Sequence, residues 1–342
     1  VSSQPISKER PTIKDVAARC GLSVKTISRV INGARGVAAD TEARVRKAIA
    51  ELGYEPNLVA RSLRVGRSDA IGVIVGAIDD PFFSTMTAAI ESEVRMRSHL
   101  LLVASSGEDG ELERTLVKAL VSRHVSGIIA VPCSTDHSYL AEIGRKVALV
   151  FADRPAMNLA ADAVLVDNAQ GAEMGTQHLI SHGHTRIAFV GGPRGVYTLS
   201  QRRLGFEAAM HQAGLRVPPE LICEHPVTVE DAERTVADLL RLTEPPTAIF
   251  AGNSRASLGV VKALHALGRT DVAMVGFDDF ETAAALVPAV TVVRQDPAAI
   301  GRLATELLFQ RISGDSSPPR TVLVPTTLVA RGSAEFSPAQ PV

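Results

Sequence analysis

Two groups of residues in this chain have the types and spacing to do chemistry. The first lies near the start, where Val24, Lys25 and Arg29 stand beside Thr26, Ser28 and Asn32 in a short segment otherwise made of isoleucine and valine. Presented from the first turns of a helix, such side chains meet the base edges of a DNA groove. The second group follows apolar runs further on: Asp79-Asp80 with Phe82 and Phe83, then Asp153-Arg154, Arg202, Asn253, Asp278 and Gln295. Carboxylates, guanidinium groups and amides just behind parallel strands are where α/β sheets place a ligand. An aromatic ring among them offers an apolar face to the C–H side of a sugar.

Other constellations are present in kind but not in pattern. The run Gly191-Gly192-Pro193-Arg194-Gly195 lacks the Lys-Ser/Thr of a phosphate loop and reads as a strand-to-helix turn. His182-Gly183-His184 has no third ligand nearby and reads as the end of a helix. No nucleophile-elbow pattern accompanies the serines and histidines. Cys20, Cys133 and Cys223 are odd in number and far apart, which fits buried thiols in a reducing compartment. The chain therefore reads as a non-enzyme, with no catalytic residue, metal site or cofactor. No secretory pattern or apolar run of membrane length occurs, so a cytoplasmic protein with no membrane partner is expected.

The first group needs a positioning element, and its flanks provide one. Thr12 and Asp15 begin a helix in capping-box fashion, and Ile13, Val16 and Ala17 give that helix one apolar side. Gly21 permits a tight turn and Ser23 caps a second helix, in which Ile27 and Ile31 face the first while Val24, Lys25 and Arg29 face outward. A third amphipathic helix is expected over residues 41–52, with Asp40 or Thr41 at its cap. Beyond Pro56, residues 57–64 allow a further helix of about two turns, begun by Asn57; that is well short of the roughly 12–15 residues an isolated helix needs. Residues 1–70 hold 13 Lys+Arg against 7 Asp+Glu, and the remainder 23 against 30. A near-neutral chain thus joins a basic head to an acidic body, as expected if only the head meets phosphates.

Several spaced pieces match a known family in order: Thr12-Ile13-Lys14-Asp15-Val16-Ala17, Gly21-Leu22-Ser23, Thr26-Ile27-Ser28-Arg29-Val30-Ile31-Asn32 and Leu52-Gly53-Tyr54-Glu55-Pro56-Asn57. The segment strongly resembles the DNA-binding headpiece of the lactose/galactose-repressor family of bacterial transcription regulators. The resemblance implies base reading by Val24, Lys25 and Arg29, with Thr26, Ser28 and Asn32 supporting or touching phosphates. It also implies a hinge helix from each of two subunits in the minor groove, where Leu63 wedges between base steps and Ala60 allows close approach.

The rest of the chain alternates strand-like runs (71–77, 100–104, 127–132, 147–152, 163–166, 186–191, 247–252 and 272–276) with amphipathic stretches (83–97, 111–122, 170–181, 202–213, 232–242 and 257–267). That alternation predicts parallel sheets covered by helices, an α/β fold. By analogy with periplasmic sugar-binding proteins it forms two lobes around a cleft. The expected division is a leader at 1–10 and a helix-turn-helix headpiece at 11–56, followed by a hinge helix and linker at 57–68. An effector and dimerisation domain spans 69–332, with one lobe at 69–165 and 297–324 and the other at 166–293 and 325–332, before a disordered tail at 333–342.

The resemblance makes Asp80, Phe82, Phe83, Asp153, Arg154, Arg202, Asn253, Asp278 and Gln295 the expected effector contacts. One of Asp79 and Asp80 also suits the cap of the helix that begins at Pro81. Two departures from the family pattern stand out. Asn253-Ser254 replaces a common Asn-Asp, and His225-Pro226-Val227-Thr228 lacks an aromatic that the family often has there. The expected function is a ligand-responsive regulator, most often a repressor in this family, binding palindromic operator DNA as a homodimer. Its effector is expected to be a sugar or sugar derivative, with a purine, nucleoside, sugar acid or sugar phosphate as the alternative and a solute-binding protein without a DNA role as the rival class.

Overall fold

The computed structural model describes residues 11–31, 36–54 and 69–338, which fall into two units, residues 1–68 and 69–342. The expectations for the leader, for Asn32, and for the hinge with Asn57, Ala60 and Leu63 lie outside the described residues.

The first unit is built on three helices: α1 (Ile13–Cys20), α2 (Val24–Ile31) and α3 (Ala39–Leu52). The Asp15 carboxylate accepts both the Thr12 amide and its hydroxyl at 2.7 Å, which fixes the start of α1 and holds that carboxyl below its usual range. Gly21, at φ +64°, ends α1 in the left-handed region that a glycine enters freely. The Ser23 hydroxyl then accepts the Thr26 amide at 3.2 Å to begin α2. Val16, Ile27 and Val45, one from each helix, are wholly buried together, and each contributes about 1.5–3 kcal/mol. One expectation fails: α3 is preceded by Ala38, which makes no side-chain cap, and neither Asp40 nor Thr41 caps it. Asp40 and Glu42 lie in its first turn instead, where acidic charge suits the helix dipole.

The second unit contains two six-stranded sheets. The first runs β11-β5-β4-β3-β1-β2, all parallel. Its strands are β1 (Ala70–Val75), β2 (Leu100–Ser105), β3 (Gly127–Ala130), β4 (Ala148–Ala152), β5 (Asp162–Val166) and β11 (Thr321–Val324). The second runs β12-β10-β9-β8-β6-β7, parallel except for the β10–β12 pair. It comprises β6 (Ile187–Val190), β7 (Ile222–Cys223), β8 (Ala248–Ala251), β9 (Ala273–Phe277), β10 (Thr291–Arg294) and β12 (Thr327–Val329). Strands such as β3, β6 and β8 are buried along their whole length, because helices cover both faces.

The flanking helices are α4 (Pro81–Met96), α5 (Gly110–Ser122), α6 (Ala141–Gly144), α7 (Asn168–Ser181), α8 (Tyr197–Gln212), α9 (Val229–Leu239), α10 (Ser254–Ala266) and α11 (Pro297–Ile312). The chain changes sheet after Val166, after Arg294 and between Val324 and Thr327, so α11 and β11 return to the first lobe. There α11 packs on α4 closely enough that a Cβ on Gly301 would lie 2.6 Å from the Met86 carbonyl oxygen.

The tail expected to be disordered from Ser333 onward is anchored as far as it is described, to Pro338. Glu335 accepts the Thr291 hydroxyl and the Gly332 amide and contacts the His178 ring at 2.6 Å. The wholly buried His184 ring lies 3.0 Å from the Thr247 hydroxyl and 2.9 Å from the Phe336 carbonyl. Burial holds His184 below the usual histidine range. Cys20 and Cys223 are buried as expected, but Cys133 is only partly so, on the wall of a cavity.

Candidate functional site

In the first unit, the side chains of α2 divide by face. Ile27 and Val30 are buried, whereas Val24, Lys25 and Arg29 are exposed along the outer surface and Thr26 and Ser28 are partly covered. Two cations and a small apolar contact thus project from one helix, with the α2–α1 packing holding them at fixed positions.

In the second unit, all nine expected ligand contacts line a single cavity of about 790 Å³ between the two lobes, within the range common for small-molecule sites. The lobes contribute to it in parallel ways. Asp153 follows β4 and Asp278 follows β9, strands that occupy the same place in their sheets. Both aspartates are left-handed, at φ +68° and +72°, and their amides donate to Val164 and Val293 on the neighbouring strand, each at 2.9 Å. The left-handed turn aims each carboxylate off the strand end, a conformation that Asp and Asn tolerate better than most residues.

Arg202 is held within the second lobe. It stands in the second turn of α8, which begins at Tyr197, so it is not the helix start that the periodicity suggests. Its Nε donates to Asn168 Oδ1 and its Nη1 to the Gly252 carbonyl, both at 2.8 Å, with Asp278 Oδ2 at 3.4 Å. The guanidinium also lies 3.8 Å from the centre of the Phe277 ring, so it is clamped in position without a ligand. The Gln295 amide donates to the other Asp278 oxygen, while its own carbonyl oxygen is buried without a hydrogen-bond partner.

Asp153 is 4% exposed. Burial raises its carboxyl from an ordinary 3.8 to about 6, against the pull of Arg154 and Arg202 and with the push of Asp278 and Glu108. Asp80 is raised too, chiefly by burial, although it caps α4 by accepting the Phe82 amide at 2.9 Å. Asn253 likewise caps α10 through the Ala256 amide at 2.8 Å. Phe83 is buried in the first-lobe core, and Phe82, edge-on to it at 5.2 Å, is the more accessible ring.

Arg154 does not act as a free clamp. Its guanidinium is held by both oxygens of Glu108, a residue on the cavity wall that sequence reasoning missed. Glu108 fits only because residue 76 is glycine: a Cβ there would lie 2.3 Å from Glu108 Oε1. Its position right after the β2 run, in Gly107-Glu108, was the available signal. Tyr197, Arg194, Arg255 and Met157 also line the cavity and were not anticipated. Arrangements of this kind suit a ligand rich in hydroxyls, which both donate to carboxylates and accept from guanidinium groups.

Comparison with known proteins identifies the family. The family description "Bacterial regulatory proteins, lacI family" matches residues 12–57, and "Periplasmic binding protein-like domain" matches residues 176–334. The "HTH-type transcriptional repressor PurR" of Glaesserella parasuis is 32% identical over 93% of this chain and 94% of its own length. The chain belongs to the lacI family. A second lacI-family relative, the "Ribose operon repressor" of Escherichia coli K12, is 32% identical over 94% of this chain and 99% of that protein. Among solved structures, the lac repressor dimer bound to operator and the anti-inducer ONPF covers 96% of this chain and all of its own, at 27% identity and a TM-score of 0.84. A CelR–cellobiose complex covers 95% of this chain and all of its own, at 29% identity and a TM-score of 0.70. As a lacI-family member the chain is a DNA-binding transcription regulator, with a helix-turn-helix head and a periplasmic-binding-protein-like α/β core. No helix among the described residues is long and apolar enough to cross a membrane.

Proposed function

We propose that this chain is a cytoplasmic repressor that binds a palindromic operator as a homodimer and senses a small sugar-like molecule in its cavity. The observation that carries the reading is the convergence of Asp153, Asp278, Arg202 and Gln295, from both lobes, on one cavity with an unpaired buried acceptor. Hydroxyls of one ligand that reach both lobes favour the closed arrangement over the open one. A ligand with that preference shifts the population of the dimer and hence its affinity for DNA. Lys25 and Arg29, with Val24, read bases, and Leu63 serves as the minor-groove wedge. The chain has no catalytic role in this account.

A second reading has one specific observation in its favour. Arg194 and Arg255 add cations to the rim, and the wall at Val227 carries no ring, which suits a sugar acid, sugar phosphate or nucleoside. Thermal unfolding against D-ribose, cellobiose, sugar phosphates, sugar acids and nucleosides separates the two, since a ligand of the folded state raises apparent stability by mass action. Selection of duplexes from a random pool, followed by gel shift against salt, tests the DNA side. An operator without dyad symmetry would refute the homodimer reading, and no shift with any ligand class would refute the cavity assignment.

A further inference from the structure

Beside the cavity, but not on its lining, lies a buried charged cluster that no contact with a ligand explains. Glu113, in the first turn of α5, is 1% exposed. Its Oε2 accepts the Cys133 amide at 2.6 Å and the Ser134 amide at 3.3 Å, and its Oε1 accepts the Tyr139 hydroxyl at 2.9 Å. The His137 ring, also 1% exposed, brings Nε2 to 3.3 Å from Oε1, close to the carboxylate but without the alignment of a good hydrogen bond. Burial alone would raise the carboxyl, but His137, the Cys133 amide and Tyr139 outweigh it and hold Glu113 near 2. It is therefore a permanent buried anion, tolerated because its oxygens are satisfied.

His137 carries the connection to a second loop. Its Nδ1 accepts the Met157 amide and its own amide donates to the Met157 carbonyl, both at 2.9 Å. Because Nδ1 is an acceptor, the ring proton sits on Nε2, facing Glu113. The ring stands edge-on to Phe151 of β4 at 5.7 Å, and the Arg114 guanidinium covers the Tyr139 ring at 4.4 Å. One carboxylate on α5 thus ties down the loop after β3, and one imidazole ties that loop to the loop after β4. These two loops contribute Cys133, Ser134 and Thr135, then Asp153, Arg154, Pro155 and Met157, to the cavity.

We propose that Glu113 and His137 are positioning residues for ligand binding: they set the first-lobe wall of the cavity by clamping its two loops, although neither touches the ligand. The proposal rests on the reading of this cavity as the effector site. Ligand affinity should therefore follow the acceptor at the Nδ1 position, not merely the bulk of the side chain. His137→Phe keeps the ring against Phe151 but has no acceptor, whereas His137→Asn offers an amide oxygen near the Nδ1 position.

Hydrogen exchange of the full-length, ligand-free chain tests the clamp directly. Wild type and His137→Asn should protect the Met157 amide, whereas His137→Phe should lose that protection with the strand amides of β3 and β4 unchanged. Glu113→Met, which keeps the bulk but offers no acceptor oxygen, should expose the Cys133 and Ser134 amides in the same selective way. Calorimetry with D-ribose and cellobiose should then give an affinity about tenfold weaker for His137→Phe, restored to within about threefold by His137→Asn. Equal Met157 protection in all three proteins, or equal weakening by Phe and Asn of a sugar the wild type binds, would overturn the proposal. If the wild type binds neither sugar, the sugar reading of the cavity fails, and the exchange data still decide the clamp.

Discussion

Asp153→Asn should make this protein more stable at neutral pH, although it removes a charge that lies beside two arginines. The folded protein raises the Asp153 carboxyl from an ordinary 3.8 to about 6, mainly because the group is buried, and the pull of Arg154 and Arg202 is already included in that value. A gap of this size corresponds to about 3 kcal/mol between the neutral and charged forms. With the folded value raised, stability is full when the group is protonated in both states, below about pH 4, and is lost as pH rises through about 6. Asparagine is neutral throughout, close in shape, and equally at ease at φ +68°. The advantage of Asp153→Asn should grow from under about 1 kcal/mol at pH 4 to about 3 kcal/mol at pH 7. In a domain of this size that is roughly 5–10 °C in melting temperature. Scanning calorimetry of both proteins from pH 4 to pH 8 measures it. Taking the difference between the two removes the other titrating groups. A difference that stays constant with pH, or a wild type that is the more stable at pH 7, would show the reasoning to be wrong.

Other perturbations should separate the roles of neighbouring residues. Arg202→Met leaves Asp278, Asn168 and the Gly252 carbonyl without their partner, so it should destabilise the core by about 3–5 kcal/mol in urea melts and abolish ligand-induced shifts. Gly76→Ala displaces the Glu108 carboxylate and presses on the Phe83 ring at 3.1 Å, so the buried Arg154 loses its partner; stability in urea melts should fall by about 1–3 kcal/mol, and sugar affinity measured by calorimetry should change with it. Arg29→Ala should weaken binding to the selected operator by about 1–3 kcal/mol and relax preference at one base position in each half-site, with the calorimetric unfolding of the second unit unchanged. His184, held below its ordinary 6.5, has the opposite pH dependence to Asp153: its contribution is present above that value and is lost as acid protonates the buried ring. The protection factor of the tail amide of Ala334, taken relative to an intrinsic exchange rate that itself falls in acid, should accordingly decrease as pH drops below 6.5 in wild type and much less in His184→Asn.

The legible parts of the fold were those with a strong local signal. Uninterrupted apolar runs marked β1, β3, β4, β6 and β8, and the Thr12–Asp15 and Gly21–Ser23 pairs marked the turns of the headpiece. Weaker elements escaped. The two-residue strand β7 is too short to show a period, and the edge strand β11 leaves Thr321 and Leu323 exposed, so it reads as a loop. The tail after Ser333 looks polar, but its anchoring depends on Thr291 and His178, more than forty residues distant. The same division holds at the cavity. Asp153 and Asp278 betray themselves by following strands, whereas Glu113 sits in a run of alternating charge that is indistinguishable from a solvated helix face. Only the fold places Cys133 and His137 over it. Arg154 was legible as a cavity residue, but its capture by Glu108 was not, since that pairing depends on the absence of a side chain at Gly76.

The three passages between lobes bear on how the chain is made as well as on how it moves. Strands β1 to β5 leave the ribosome early, but the helix that covers them, α11, and their edge strand, β11, are synthesised only after the whole of the second sheet except β12. At about 5–20 residues per second the first lobe must wait roughly 7–30 seconds with the Met86, Ile90 and Leu308 core incomplete. Over the same interval the headpiece, a separate compact unit, can already fold. A nascent chain therefore acquires its DNA-reading surface before its ligand-sensing half is closed. A ribosome stalled near residue 296 should carry a folded head and a first lobe dependent on chaperones, and early termination there would leave a reader with no sensor.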